Sequence, residues 1–250
     1  MRSRFQTFAL SALIFTAVAI VGTPGRASAD SGEFDHSAWA GLLKQFVKKG
    51  AVSYTKWHAD GEARKALDGY LASLASADPK AIASRDARMA FWINAYNACA
   101  LDAVLDRFPI KSVMDVKGFF KTAHCTVAGK RRSLDDIEKG VLRKKPFGDP
   151  RLHFALNCAS KSCPPLLSRP WSGKGIGGQL DKATEAFIKS GGARVDGPKL
   201  HASKLFEWYA SDFKKTAPSI PAFIGQYLPA AAAQGLAISY DEYDWSLNGR

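Results

Sequence analysis

Cysteine is scarce in this 250-residue chain, which has four cysteines and none before Cys99. A leader followed by a lipid-attachment cysteine is therefore excluded. The chain also lacks a Cys-x-x-Cys pair, an HExxH element and a GxSxG element. These absences argue against a thioredoxin-like redox motif, a zinc protease and an α/β-hydrolase nucleophile elbow. No Cys/His set has zinc-finger spacing, so we expect neither a metal nor a cofactor.

The first 29 residues have the composition of a signal peptide. Arg2 and Arg4 supply a positive start, residues 5–21 are largely apolar, and Ala27-Ser28-Ala29 fits the small-residue cleavage pattern. We expect cleavage near Ala29 and a soluble periplasmic or secreted protein. The segment contains three arginines and no acidic residue, so its removal lowers the net charge from +12 to +9.

Residues 30–250 have the length of one domain with a substantial core. Apolar residues at helical spacing predict helices over residues 39–47, 67–74, 82–108, 176–188, 203–213 and 221–227. Residues 124–134 read as a hairpin, Ser133 and Asp136 have capping-box spacing, and residues 151–158 read as a strand. Further short strands are expected near residues 194 and 238. The pattern indicates a helix-rich α+β single domain with a small, mostly antiparallel sheet.

Two asparagines interrupt AFWINAYNACAL, residues 90–101, a helical segment that is apolar almost all the way round. Asn94 and Asn97 are three residues apart and therefore lie on neighbouring positions of one face. A buried amide needs hydrogen-bond partners. One interpretation is that both tie loop backbone to the core. The other is that one binds a ligand carbonyl or an oxyanion.

Basic residues are concentrated in residues 111–151, which hold eleven Lys/Arg and five Asp/Glu. Two local groups stand out. One consists of Lys130, Arg131 and Arg132, and the other of Arg143, Lys144 and Lys145. They form either a solvated face or a surface that attracts an anionic partner. Nucleic acid is not expected, because no stacking aromatics alternate with the basic residues.

The stretch HFALNCASKSCPPL, residues 153–166, brings one histidine and two cysteines together. In an extended strand, His153 would lie roughly 16 Å from Cys158, too far for a thiol and its base. The loop would have to return to bring Cys163 beside His153, or Cys158 would need another base, such as His124 or His201. An exported protein also permits a disulfide between Cys158 and Cys163, and Cys99 can pair with Cys125 or be a buried free thiol.

Five blocks carry a family resemblance: FWINAYNA (91–98), SLDDIEKGVLR (133–143), RLHFALNCASKSCPPL (151–166), KLFEWYASDF (204–213) and YDWSLN (243–248). They resemble the Domain of Unknown Function 547 family, whose members include exported bacterial proteins and animal proteins joined to a glutaredoxin-like unit. That association implies thiol chemistry by analogy. The resemblance places these residues in its blocks: Asn94, Asn97, Glu138, His153, Asn157, Cys158, Ser160, Cys163 and Asp212. Many members have a histidine where this chain has Lys139.

Two classes of function follow. In the first, the protein is a binding or structural module in which Cys158 and Cys163 close a disulfide loop, and Asn94, Asn97, Asn157 and Ser160 bind an unidentified small molecule or protein. In the second, Cys158 or Cys163 is the nucleophile of a hydrolase or transferase, with His153 as base. A thiol-redox module that cycles the two cysteines is a further alternative.

Overall fold

The computed structural model describes residues 32–122 and 125–250. The predicted signal peptide and His124 lie outside the described residues. Nine α-helices are formed in the described part of the chain. They are α1 (Ser37–Phe46), α2 (Tyr54–Ala59), α3 (Gly61–Ser76), α4 (Arg85–Leu105), α5 (Leu134–Ile137), α6 (Ile176–Phe187), α7 (Lys204–Trp208), α8 (Ala210–Phe213) and α9 (Ile220–Gly225). The helix-rich α+β fold is confirmed.

The strands are short and form three small sheets. They are β1 (Val47–Lys48), β2 (Ala51–Val52), β3 (Cys125–Val127), β4 (Lys130–Arg132), β5 (Ala193–Asp196), β6 (Lys199–Ser203) and β7 (Ala237–Asp241). The hairpins β1-β2, β3-β4 and β5-β6 are antiparallel, and β7 joins β6 in parallel. The predicted hairpin is therefore confirmed as β3-β4, whereas β6 was not expected.

Helix α4 is the centre of the larger of two hydrophobic clusters. Seventeen of its 21 residues are buried, as its nearly continuous apolar sequence predicts. The smaller cluster contains Phe154 and the apolar faces of α7, α8 and α9. Ala183 of α6 packs against both clusters. The organisation as a single domain stays a prediction.

A disulfide between Cys99 and Cys125 ties α4 to β3. The sequence allowed either this pairing or a buried free thiol for Cys99. The bridge closes a separation of 26 residues, which corresponds to about 3.5 kcal/mol of stabilisation in the chain-entropy treatment.

The predicted strand over residues 151–158 is wrong. Residues Pro150–Phe154 form a 3-10 helix, and the chain then continues without regular structure to Cys158. Asp149 caps this helix by accepting the Arg151 N–H, and Pro150 occupies its first turn, where a missing N–H costs nothing. The segment also has no β-branched residue to favour extension. The separation of His153 and Cys158 argued from an extended strand therefore does not apply.

The C-terminal segment, residues 243–249, lies along the loop from Cys158 to Cys163, which we call the cysteine loop. Backbone hydrogen bonds join Lys161 to Ser246, Ser162 to Asp244, and Asn248 to Ala159. On its other side, Gly249 pairs with Val52 of β2. The backbones approach so closely there that a Cβ on Gly249 would overlap the Val52 carbonyl oxygen. The cysteine loop is thus fixed by residues far away in the sequence.

None of the helices within residues 32–122 and 125–250 is long and apolar enough to cross a membrane.

Candidate functional site

A cavity of about 210 Å³ opens where the two hydrophobic clusters meet. Its lining contains both His153 and Cys158, which the sequence had singled out. Other lining residues with a hydroxyl, thiol or carboxyl group include Tyr96, Glu138, Cys163, Tyr209 and Tyr243. Trp208 and Trp245, stacked with ring centroids 5.7 Å apart, contribute aromatic surface to the same wall. Cavities that combine apolar walls with a few convergent polar groups are the usual sites of ligand binding and catalysis.

The Cys158 sulfur is surrounded by hydrogen-bonding groups. Its Sγ lies 3.0 Å from Ser160 Oγ and 3.2 Å from Tyr243 Oη. The Cys158 backbone N–H donates to Cys163 Sγ at 2.8 Å, so the two cysteine side chains are neighbours. Ala159, which follows, adopts a positive φ of 61°, and this unusual conformation turns the chain sharply after the thiol. The loop thereby aims Sγ at the cavity.

These contacts separate the acidities of the two thiols. Burial raises the pKa of Cys158, but hydrogen bonds with Cys163, Ser160 and Tyr243 outweigh it and lower the pKa from 9.0 to about 7. Burial, followed by the contact with Cys158, raises the pKa of Cys163 well above its usual range. At neutral pH, Cys158 is therefore thiolate in part, while Cys163 stays a neutral thiol. A lowered pKa at a partly exposed cysteine is typical of nucleophilic thiols.

His153 is held by a buried carboxylate. Its Nε2–H donates to Asp212 Oδ2 at 3.0 Å, and Asp212 also accepts from Arg143 Nε and Lys215 Nζ. The hydrogen bond from His153, followed by those from Lys215 and Arg143, lowers the pKa of Asp212 against the opposing effect of burial. Tyr209 stacks on the imidazole with ring centroids 3.7 Å apart. With Nε2 bound in this way, the neutral imidazole keeps its lone pair on Nδ1.

Glu138 begins a π-helical turn, Glu138–Leu142, that interrupts the helix after α5. The predicted capping box starts that helix: Ser133 Oγ accepts the Asp136 N–H, and the Asp136 carboxylate accepts the Ser133 N–H. The side chain of Glu138 is 8% exposed and lines the cavity. π-helical turns often occur at functional sites, where they redirect a side chain.

A comparison with protein-family models identifies the chain. The model described as "Protein of unknown function, DUF547" matches residues 80–188. Residues 80–188 therefore form a DUF547 region. Neither a search of curated proteins nor a search of solved structures finds a match. The matched residues include Glu138, His153 and Cys158, whereas the later blocks at 204–213 and 243–248 lie beyond them.

The buried asparagines of this DUF547 protein hold loops in place. Asn94 exchanges two hydrogen bonds with the backbone of Trp171. Asn97 donates to the Ala155 carbonyl and accepts the Asn157 N–H, so it fixes the segment just before Cys158. These contacts match the interpretation in which both amides tie loop backbone to the core.

Asn157 and Ser160 also have partners within the protein. The Asn157 amide donates to the Pro164 carbonyl and accepts the Ala159 N–H. Ser160 contacts Cys158 and Tyr243, as described above. Neither these two residues nor Asn94 and Asn97 line the cavity. Ligand binding by the four residues stays a prediction.

One pair of cysteines forms a disulfide in the structure and the other pair does not. Cys158 and Cys163 are free thiols in the structure, and the disulfide joins Cys99 to Cys125. The bridge between Cys158 and Cys163 stays a prediction about the oxidised protein. Both thiols and His153 line the same cavity, so the structure does not single out Cys163 as the neighbour of the histidine.

The remaining predicted residues have other surroundings. His201 contacts Ser239 on β7 and is not part of the cavity lining. Arg143, which the sequence grouped with surface bases, has its guanidinium 5.2 Å from the centre of the Tyr209 ring and bonds Asp212. Lys144 and Lys145 are exposed beside it. Lys139, where the family resemblance implied a histidine in many members, is bound to Asp135 and lines the cavity.

Sequence reasoning missed Tyr209 and Tyr243. Both stand in conserved-looking blocks of the DUF547 resemblance, KLFEWYASDF and YDWSLN. Those blocks were the available signal. A tyrosine in an apolar block gives no indication of whether its hydroxyl meets a thiol, because that contact depends on long-range packing.

Proposed function

We propose that this DUF547 protein is a thiol-dependent hydrolase or acyltransferase with Cys158 as its nucleophile. The observation that supports this most strongly is the half-buried Cys158 thiol, with a pKa of about 7, in a cavity that is also lined by His153, which is bound to Asp212. A nucleophile, a base and a carboxylate that orients the base are the parts that covalent acyl transfer requires.

The proposed reaction begins when His153 accepts the proton of the Cys158 thiol on Nδ1 and the resulting thiolate attacks a substrate carbonyl carbon. The bond to the leaving group then breaks and leaves an acyl-thioester on Sγ, while His153 supplies a proton to the leaving group. Water or another acceptor, deprotonated by His153, next attacks the thioester and restores the thiolate. Asp212 keeps the imidazole oriented and stabilises its protonated form during the transfer.

Acylation by an activated ester tests this proposal. On mixing with p-nitrophenyl acetate at neutral pH, the protein should release p-nitrophenol and gain one acetyl group on the peptide that contains Cys158, read by mass spectrometry. Cys158→Ser should abolish the adduct, whereas Cys163→Ser should retain it. His153→Asn should accumulate the thioester because its hydrolysis is slowed. Acetylation of wild type and Cys158→Ser at equal rates would contradict the proposal.

A binding module is the second candidate, and one observation favours it. Sγ of Cys158 makes its hydrogen bonds to Ser160 and Tyr243, and none to an imidazole among the described residues. In a binding module the polar groups of the cavity would orient a ligand without reacting. Absence of acylation in every ester tested, together with saturable ligand binding in the cavity, would favour this role.

Export and an anionic partner complete the proposal. The N-terminal composition supports a periplasmic or secreted location after cleavage near Ala29. Lys130, Lys144 and Lys145 are exposed and would face an anionic surface. N-terminal sequencing of protein recovered from the periplasm tests the cleavage, and retention on anionic against neutral vesicles tests the surface.

A further inference from the structure

Glu138 carries one oxygen without a hydrogen-bond partner in the described part of the chain, although the Tyr209 hydroxyl contacts the same carboxylate. Its Oε1 is buried and has no donor within hydrogen-bond distance among the described residues. Arg143 is the nearest cation, 4.0 Å away, and it directs its Nε to Asp212 instead. Buried carboxylate oxygens normally accept hydrogen bonds, so an unsatisfied one on a residue that lines a cavity points to a donor brought by a ligand.

The backbone contributes to this arrangement. Glu138 stands at the start of the π-helical turn, and the Arg143 N–H donates to its carbonyl across the widened turn. A π-turn changes the direction of the side chains that follow it relative to an unbroken α-helix. Here it leaves the carboxylate of Glu138 in the cavity wall while Arg143 reaches Asp212.

The other charged residues of the lining, Lys121, Asp135 and Lys139, form no hydrogen bond with Glu138 in the described part of the chain. Asp135 and Lys139 neutralise each other at 2.8 Å, and Lys121 is exposed at the rim. Glu138 is therefore the buried charge that faces the cavity without an ion pair at hydrogen-bond distance. A cation is attracted to such a wall, and an anion is repelled.

Aromatic rings form another part of the lining. Trp208, Tyr243 and Trp245 pack together, with Tyr243 and Trp245 centroids 4.6 Å apart. Trp208 is 44% exposed and so keeps ring surface available. Aromatic faces attract ammonium groups through their quadrupoles, and this attraction adds to that of a carboxylate.

We propose that Glu138 and the aromatic wall bind a primary ammonium group, so that the ligands of this cavity are amine-bearing compounds. The inference deepens the proposed thiol enzyme by naming its substrate class as acyl compounds that carry an amino group. It rests on that proposal only for the reaction, because binding of the ammonium group requires no thiol.

Binding of small probes to the Cys158→Ser protein tests the inference apart from catalysis. The probes are n-butylamine, n-butanol and butyrate at neutral pH, where the amine is protonated. Trp208 and Trp245 line the cavity, so quenching of tryptophan fluorescence should report binding. We expect n-butylamine to bind at least tenfold more tightly than n-butanol and butyrate to bind least.

Two further variants in the same background assign the effect. Glu138→Gln removes the charge and should reduce n-butylamine binding to the level of n-butanol. Glu62→Gln is the matched control, because Glu62 is an exposed carboxylate on α3 and should leave all three affinities unchanged.

Equal affinities for n-butylamine and n-butanol would overturn the inference, as would unchanged amine binding in Glu138→Gln. Should Glu138→Gln fail to fold, the comparison of the three probes in Cys158→Ser still decides the question. Failure of acylation with intact amine selectivity would reject the proposed enzyme alone, and acylation without amine selectivity would reject the ammonium site alone.

Discussion

The acidity of Cys158 depends on neighbours that are each weak hydrogen-bonding partners of sulfur. Within residues 32–122 and 125–250 the contacts that lower the pKa of Cys158 come from hydroxyl and thiol groups, and no cation is among them. Such a site is preorganised, because Ser160 and Tyr243 also bond each other and need not move when charge develops. The reactivity of the thiol should therefore respond to loss of a single oxygen atom.

Tyr243→Phe tests this dependence. Loss of the hydroxyl removes one hydrogen bond to the thiolate and should raise the pKa of Cys158 by about 1, since one pKa unit corresponds to roughly 1.4 kcal/mol. The measurement is the rate of iodoacetamide alkylation of Cys158 as a function of pH. Tyr227→Phe is the matched control, because its hydroxyl contacts Asp181 outside the cavity. An unchanged alkylation profile in Tyr243→Phe would show that the phenol does not stabilise the thiolate.

Asp212→Asn should destabilise the fold in a pH-dependent way. The native pKa of Asp212 is lowered, so its contribution is complete above its unfolded pKa of about 4 and is lost as pH falls toward the native value. We expect Asn to cost about 2 to 3 kcal/mol at neutral pH, because the hydrogen bonds to a charged acceptor are weakened. The free energy of unfolding in urea gives the difference.

Measuring both proteins at several pH values tests whether the charge of Asp212 causes the difference in the free energy of unfolding. The difference between wild type and Asp212→Asn should stay constant from about pH 5 to pH 7 and shrink below about pH 4. Asp181→Asn is the control, since its partner Arg151 binds it at the surface and exposed pairs contribute about 1 kcal/mol at most. A difference that is the same at every pH would mean that the Asp212 charge is not the stabilising feature.

At the scale of elements, two asparagines of the same helix have separable tasks. Asn97 holds the backbone that leads to Cys158, whereas Asn94 holds the backbone at Trp171. Replacing either by Ala leaves one buried N–H and one buried carbonyl without partners. Each replacement should lower the free energy of unfolding by about 2 to 5 kcal/mol.

Only Asn97→Ala should also change the chemistry of the thiol. Because the Asn157 N–H loses its acceptor next to Cys158, alkylation at neutral pH should slow in Asn97→Ala and remain as in wild type in Asn94→Ala. Thermal melting and alkylation of the same samples give both readouts. Equal alkylation rates in the two variants would indicate that the cysteine loop is positioned without Asn97.

Most helices could be predicted from the sequence, but the path through the site could not. Helix α4 is recognisable from its nearly continuous apolar sequence. The start of α5 is recognisable from the capping-box spacing of Ser133 and Asp136. The segment before Cys158 alternates polar and apolar residues in a way that suits either a strand or a 3-10 turn. The cap at Asp149 favours the 3-10 turn. The contact between Cys158 and Tyr243 could not be predicted, because it joins residues that are 85 positions apart in the sequence.

At the scale of the molecule, the site joins parts of the chain that lie far apart. The DUF547 match ends at residue 188, while Asp212 and Tyr243 come later. A fragment limited to the matched residues would contain His153 and Cys158 but neither the Asp212 carboxylate nor the Tyr243 hydroxyl. The C-terminal part is therefore as much a component of the site as the matched region.

Deletion of residues 243–250 should raise the pKa of the Cys158 thiol and slow its alkylation. The truncated protein loses Tyr243, Trp245 and the backbone hydrogen bonds to the cysteine loop. We expect the pKa of Cys158 to rise toward the ordinary cysteine value of about 8.5 and alkylation at neutral pH to slow several-fold. Removal of Arg250 alone is the control and should change neither. Wild-type alkylation in the truncated protein would place the determinants of acidity entirely within the loop.

The loop at Cys158 reaches its final surroundings only after the rest of the chain has been made. A growing chain presents Cys158 well before Tyr243, and during that interval the sulfur has neither its phenolic partner nor the aromatic wall beside it. Until residue 243 has joined the fold, the Cys158 thiol therefore lacks the hydrogen bond with the Tyr243 hydroxyl that lowers its pKa.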